Sequence, residues 1–242
     1  MDIIRIVIRN FCNVMTKAET QREKIKEEDF KMKVLALNGS SNAKGVTYAA
    51  MNIVGEELKK EGIEMEIVHV GAKGVSGCVN CKKCRENHHC VIDDKVNEII
   101  DRIDEFDGIL LGCPAHYMDV PGPFKAFLDR LLYATEHLEG HTHKVCASIA
   151  VCRRAGAINT FQQLNNYLYC SNMIIVGSQY WNVGYGWTPE EFLAQDKEGV
   201  QSMEVLGRNM AWMLKVVDAT KETIPHPVIT DKRTRTNFCR EF

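Results

Sequence analysis

The stretch from Lys33 to Thr47 sets the terms for the rest of the chain. Lys33-Val-Leu-Ala-Leu37 reads as a buried strand, and Asn38-Gly-Ser-Ser-Asn-Ala-Lys-Gly-Val-Thr47 as a loop that opens a helix. Gly39 and Gly45 let the backbone turn tightly, the first helical N–H groups lack intrahelical acceptors, and the helix dipole favours negative charge at that point. Hydroxyls at Ser40, Ser41 and Thr47 and the amide of Asn42 add donors that can wrap a phosphate monoester without a metal. The spacing is neither Gly-x-Gly-x-x-Gly nor Gly-x4-Gly-Lys-Ser/Thr, which points to a mononucleotide rather than a dinucleotide or nucleoside triphosphate. Ordinary turn chemistry is the other reading of such a loop.

With 242 residues, 45% of them hydrophobic, the chain is expected to form one sizeable α/β domain. Thirty basic against thirty-two acidic residues leave a formal charge of −2, which gives no electrostatic case for nucleic acid or an anionic membrane. No apolar run approaches the ~20 residues of a membrane span, and Arg5 and Arg9 interrupt the N-terminal apolar stretch. Ten cysteines without a secretion signal point to thiol, metal or redox chemistry in a reducing compartment, the cytoplasm. Residues 1–32 read as an extension and 221–242 as a C-terminal tail. Met32 directly precedes the first core strand, so translation from there is one expectation and an arm covering a neighbouring subunit the other.

Strand and helix patterns alternate between those ends. Ala50, Ile53, Val54 and Leu58 fall at helical spacing, Gly62 closes that helix, and Met65-Glu-Ile-Val-His-Val70 alternates towards a second strand. Val96, Ile99, Ile100 and Ile103 mark a helix, and Gly108-Ile-Leu-Leu-Gly112 a strand covered on both faces. Phe124, Phe127, Leu128, Leu131 and Leu132 mark the next helix, Val145–Val151 the fourth strand, Thr160–Cys170 a helix, Met173–Val176 the fifth strand, and Met203–Val217 a last helix. This rhythm means a parallel sheet with helices on both faces, whose ligand sits beyond the carboxyl ends of the strands.

The loops after strands one, three and four therefore converge. In Cys113–Pro121, Pro114 suits a chain leaving a sheet, and Ala115, His116, Tyr117 and Met118 can lie against an aromatic ring whose heteroatoms meet backbone amides. Cys152-Arg153-Arg154-Ala-Gly156 brings two guanidinium groups to the same edge, where a cation stabilises negative charge on a reduced ring. A packed turn and solvated arginines are the plain alternatives.

The most specific pattern is Cys78-x2-Cys81-x2-Cys84-x5-Cys90. Three thiolates at successive spacings of three, closed by a fourth, can curl around one compact inorganic core, as in ferredoxin-type runs. A self-contained four-iron cluster is the expectation. Structural zinc favours two well-separated Cys-x2-Cys pairs, and a metal-free thiol loop stays open as well. His88 and His89 read as solvated, and Cys146 and Cys170 as core residues.

Taken together, the phosphate loop, the cysteine run with Asp93-Asp94 behind it, Cys113-Pro-Ala-His-Tyr117 and the Phe124-Lys-Ala-Phe-Leu-Asp-Arg130 helix resemble the iron-sulfur flavoproteins of the NADPH-dependent FMN reductase-like, multimeric flavodoxin family. The resemblance covers roughly residues 33–217. It implies a flavodoxin-like three-layer αβα sandwich over 33–220, with a five-stranded parallel sheet in order 2-1-3-4-5 and a cysteine loop at 77–92. It implies FMN phosphate at Ser40, Ser41, Asn42, Gly45 and Thr47, and the flavin ring between Pro114–Met118 and Cys152–Gly156. It implies a [4Fe-4S] cluster on Cys78, Cys81, Cys84 and Cys90, dimers or tetramers, and electron exchange with a ferredoxin-type carrier. Ser41, Asn42 and Val46 stand where the family commonly has proline, arginine and asparagine, and His116 where an aromatic is usual. Two other functions remain at this point: an NAD(P)H-dependent FMN or quinone reductase without a cluster, and a redox-sensing module that is not an enzyme. Tyr180-Trp181-Asn182 and the glycine-rich Val183–Trp187 resemble a late loop bordering the flavin in the reductase branch; a lid or an oligomer contact is the alternative.

Overall fold

The computed structural model describes residues 31–71, 73–135 and 141–227. The extension before Lys31 and the tail after residue 227 lie outside the described residues.

The strands are β1 (Met32–Asn38), β2 (Ile63–His69), β3 (Gly108–Pro114), β4 (Val145–Cys152), β5 (Ile174–Ile175) and β6 (Val183–Tyr185). The helices are α1 (Val46–Lys60), α2 (Cys84–Asn87), α3 (Lys95–Ile100), α4 (Gly122–Thr135), α5 (Ala157–Cys170), α6 (Pro189–Gln195) and α7 (Lys197–Thr220). The order β2-β1-β3-β4-β5 is the expected one, and every pairing is parallel.

Period-two alternation sorts the strands between two cores. Val34, Ala36 and Leu110 face α1 and α7 through Met51, Val54, Leu206 and Met210. Leu35, Leu37, Ile109 and Leu111 face α3, α4 and α5 through Ile99, Phe127, Leu131 and Leu164. Each fully buried aliphatic or aromatic side chain contributes about 1.5–3 kcal/mol of transfer free energy, so the two layers outweigh the weak intrinsic preferences of any one segment. Gly207 lets α7 settle on α1, since a Cβ there would stand 2.6 Å from that of Glu57.

The fifth strand departs from expectation. It comes in two pieces on one edge of β4: β5 pairs with Val145 and Cys146, and β6 with Ala150, Val151 and Cys152. Val183–Tyr185, read from sequence as loop, is thus a strand. The interruption at 176–182 leaves the Ser148 carbonyl without a strand partner, and buried Asn182 supplies one, its Nδ2 donating at 3.0 Å. The helix expected across Val96–Ile103 also breaks. It ends at Ile100, a 3-10 turn follows at Ile103–Glu105, and Ile103 still reaches the core. Cys146 is buried as expected, whereas Cys170, at the last turn of α5, is exposed. Among the described residues, no helix is long and apolar enough to cross a membrane.

Candidate functional site

The loop from Asn38 to Gly45 is built around a buried asparagine. Asn38 Oδ1 accepts the Ser40 amide at 3.0 Å and Nδ2 donates to the Ala43 carbonyl at 3.2 Å. Ser40 Oγ accepts the Asn42 amide at 3.1 Å, and Asn42 Oδ1 accepts that of Lys44 at 3.1 Å. Three short polar side chains, those of Asn38, Ser40 and Asn42, therefore shape the loop, while Ser41 and Asn42 are themselves exposed to solvent. Gly45 is the N-cap of α1 and brings no side chain to it, so the amides of Val46, Thr47 and Tyr48 point out of the helix unpaired. Thr47 Oγ1 is buried without a partner. An orphaned hydroxyl beside unpaired helix amides is what a phosphate monoester would complete, so this loop fits the expected group.

Neighbouring elements press on the loop from three sides. The Gly39 amide donates to the Gly112 carbonyl of β3 at 2.8 Å, and a Cβ at Gly39 would lie 2.1 Å from the Phe124 ring of α4. His69 Nε2 donates to the Ser40 carbonyl at 2.7 Å, and Gly71 packs so tightly under it that a Cβ would meet the Ser40 oxygen at 2.2 Å.

The second and third loops meet each other. His116 and Asp119 exchange backbone hydrogen bonds of 2.9 and 3.0 Å around a two-residue tip. Tyr117 and Met118 at that tip have φ of 49° and 69°, left-handed values that cost non-glycine residues energy. Both side chains are exposed. Gly156, at φ 96°, comes so near that a Cβ would stand 3.0 Å from Met118 Cα and 3.2 Å from Ala115 Cβ. Asn159 donates to the Met118 carbonyl. Ala115 itself is tied to the Val151 carbonyl of β4 at 2.8 Å. Pro114–Met118 and Cys152–Gly156 thus form one continuous wall. Arg153 and Arg154 project from it with no carboxylate among the described residues within ion-pair distance. Cys152 is buried at the end of β4; burial pushes its thiol up, and the amides of Ala157 and Arg154 partly counter this.

Cys78, Cys81, Cys84 and Cys90 line one recess, closed by Val79, Val91, Ile92 and Tyr133 and floored by Arg130. Asn80 and Lys82 have φ of 52° and 64°, so the chain curls between successive cysteines. Cys84 is buried and Cys78 and Cys81 are exposed. Burial, followed by the charges of Cys90, Cys78 and Cys81, pushes the Cys84 thiol up. Among the described residues no three His, Cys, Asp or Glu side chains stand close enough to hold a single metal ion. A polynuclear core spreads its thiolates farther apart than one ion does, so four thiols around one recess fit a cluster better than zinc. His88 and His89 are absent from the recess lining; His89 Nε2 pairs with Asp101 at 2.5 Å.

Sequence reasoning passed over Asn38, His69 and Arg130. Asn38 and His69 end adjacent strands beside the loop, a position visible only once the strands are in register. Arg130 had a signal: it sits three residues after Phe127 and four before Ala134, on the apolar face of its helix.

A doubly wound parallel sheet in the order β2-β1-β3-β4-β5, with a loop opening onto unpaired helix amides after β1 and a two-loop wall after β3 and β4, defines the flavodoxin-like fold. Residues 32–188 match the NADPH-dependent FMN reductase family, and the chain belongs to it. Within that family it groups with the iron-sulfur flavoproteins. It is 30% identical to one from Methanocaldococcus jannaschii over 193 residues, 77% of this chain and 99% of that protein. It is 26% identical to another from Methanosarcina thermophila over 197 residues, 79% of this chain and all of that one. Among solved structures, the flavoenzyme NAD(P)H:(acceptor) oxidoreductase of Paracoccus denitrificans superposes with a TM-score of 0.58 at 18% identity, covering 76% of this chain and 98% of that one. The protein is a flavin-dependent oxidoreductase.

Proposed function

We propose that this protein moves electrons between FMN, a [4Fe-4S] cluster on Cys78, Cys81, Cys84 and Cys90, and an external one-electron carrier of the ferredoxin type. The observation that carries the reading is the single recess lined by all four cysteines in a chain that belongs to the FMN reductase family. When bound, FMN exchanges two electrons with one partner and single electrons with another, and a cluster takes them only one at a time. The chain's own part is to position and to exclude. Ser40, Ser41, Asn42, Gly45 and Thr47 hold the phosphate, with loop amides supplying most of the donors. Pro114, Ala115, His116, Tyr117 and Met118 together with Cys152 to Gly156 form the one wall against which the ring lies, because Gly156 packs directly on Ala115 and Met118 and leaves no slot between the two loops. Arg153 and Arg154 bring positive charge to the edge where reduction adds negative charge. No side chain is assigned to proton transfer.

Exposed Tyr117, Trp181 and Trp187 around the site support assembly into dimers or tetramers. Eight described cysteines stand as free thiols, in keeping with a reducing compartment such as the cytoplasm.

Anaerobic reduction by competing donors tests this. Reduced ferredoxin is expected to bleach the flavin and cluster bands within seconds, while NADPH at equal reducing strength acts at least tenfold more slowly. Rapid reduction by NADPH alone, with no response to ferredoxin, would replace this reading with a cluster-independent NAD(P)H reductase.

A further inference from the structure

Arg130 is 2% exposed in a helix whose neighbouring buried positions are Phe127, Leu128, Leu131 and Ala134. A guanidinium so placed is costly unless every donor is used. Its Nε donates to Cys90 Sγ at 3.2 Å, and one terminal nitrogen to Asp94 Oδ2 at 2.6 Å and the Ser76 carbonyl at 3.4 Å. The other reaches Asp94 Oδ1 at 3.0 Å and the Ile92 carbonyl at 2.7 Å. Asp94 in turn caps α3 through the Val96 amide at 3.0 Å. One side chain thus fastens both ends of the cysteine loop, at Ser76 and at Ile92–Asp94, to a rigid helix, and spends its remaining donor on the fourth thiol.

We propose that Arg130 is the positioning residue of the cysteine recess, and that its Nε–H bond to Cys90 sets the redox equilibrium of whatever cluster those thiols hold. The inference rests on the cluster reading above. A donor aimed at a ligand sulfur stabilises the more negative, reduced form. The bidentate Asp94 carboxylate offsets much of the guanidinium's charge, so removing either partner moves the equilibrium in opposite directions. Loss of Arg130 removes the donor and leaves an anion, which favours the oxidised form. Loss of the Asp94 charge leaves an uncompensated cation, which favours the reduced form. A merely structural role gives no such opposition of sign.

The test is an EPR-monitored redox titration, with iron per chain measured first, on wild type, Arg130→Gln, Arg130→Lys and Asp94→Asn. In Arg130→Gln the equilibrium is expected to shift at least tenfold towards the oxidised form, about 59 mV for a one-electron couple. Asp94→Asn, which keeps an oxygen for the α3 cap, is expected to shift several-fold the other way. If Arg130→Gln takes up no iron yet keeps FMN, the positioning half stands, and Arg130→Lys and Asp94→Asn report the rest. Shifts of the same sign, or potentials unchanged at four irons per chain, overturn the inference and leave the cluster reading intact. Wild type without iron removes that reading and this inference with it.

Discussion

Asn38 Oδ1 holds the Ser40 amide at 3.0 Å from inside the protein, so the loop after β1 takes its shape from a fully buried residue. Asn38→Ala removes this bond and the one to Ala43. Each buried group left unpaired costs about 1–3 kcal/mol. FMN affinity is expected to fall at least tenfold, read by quenching of flavin fluorescence, while riboflavin, which lacks the phosphate, changes little. Equal loss for both flavins would mean that Asn38 supports the fold and not the phosphate.

Gly39 is required by the Phe124 ring rather than by backbone conformation. Gly39→Ala brings a Cβ to within 2.1 Å of that ring and is expected to destabilise the protein by roughly 1–3 kcal/mol, with loss of FMN. Phe124→Leu in the same chain opens the space and is expected to restore part of the loss in a urea titration. Additive losses would place the strain elsewhere.

Asn182 replaces a strand partner where the sheet edge is interrupted. Asn182→Ala leaves the Ser148 carbonyl buried and unpaired, at a cost of about 1–3 kcal/mol measured by urea denaturation. Asn182→Asp is expected to be at least as damaging, since it loses the donor and buries a charge.

Thiol labelling reports the recess directly. In metal-free protein, exposed Cys78, Cys81 and Cys170 are expected to react first with iodoacetamide, and Cys84 much later, because burial hinders access and holds its thiol up. Cys113 and Cys146, both buried, are expected to stay unmodified until the chain unfolds. Protection of all four recess cysteines after iron and sulfide are supplied would show that they act together.

One ion pair gives a pH signature. The Arg102 guanidinium, paired with Glu66 at 2.7 Å, holds the Glu66 carboxyl below its ordinary value. A depressed folded pKa adds stability that is present above the unfolded value and lost as pH falls through the folded one. Glu66→Gln is therefore expected to be slightly less stable than wild type at pH 7 and indistinguishable from it once pH is well below 4. Both side chains are partly exposed, so high salt should erase the difference.

The alternation of strands and helices in a parallel sheet was legible because alternation and helical spacing are properties of single segments, whereas the strand order 2-1-3-4-5 came from the family resemblance and not from periodicity. Val34 and Ala36 against Leu35 and Leu37 already assign the two faces of β1. The split of the fifth strand was not legible. Val183–Tyr185 is three residues long and glycine-containing, and its strand character comes from pairing with β4. The loop between Asn38 and Thr47 could be read as an anion site, yet its shaping by Asn38, His69 and Gly71 depends on strand ends far apart in sequence. Arg130 was hidden for a related reason: a charged residue on an apolar face looks like an error of phase until its partners at Cys90 and Asp94 arrive from another loop.

The measurement closest to the central claim is the composition of protein purified without oxygen: iron, sulfide and FMN per chain, for wild type and for Cys90→Ser. Wild type is expected to hold about four irons and four sulfides beside one FMN, with a broad brown shoulder under the flavin bands, and Cys90→Ser to lose the iron while keeping the FMN. One FMN with no iron in wild type would contradict the account and leave a flavin reductase whose cysteine loop serves another purpose.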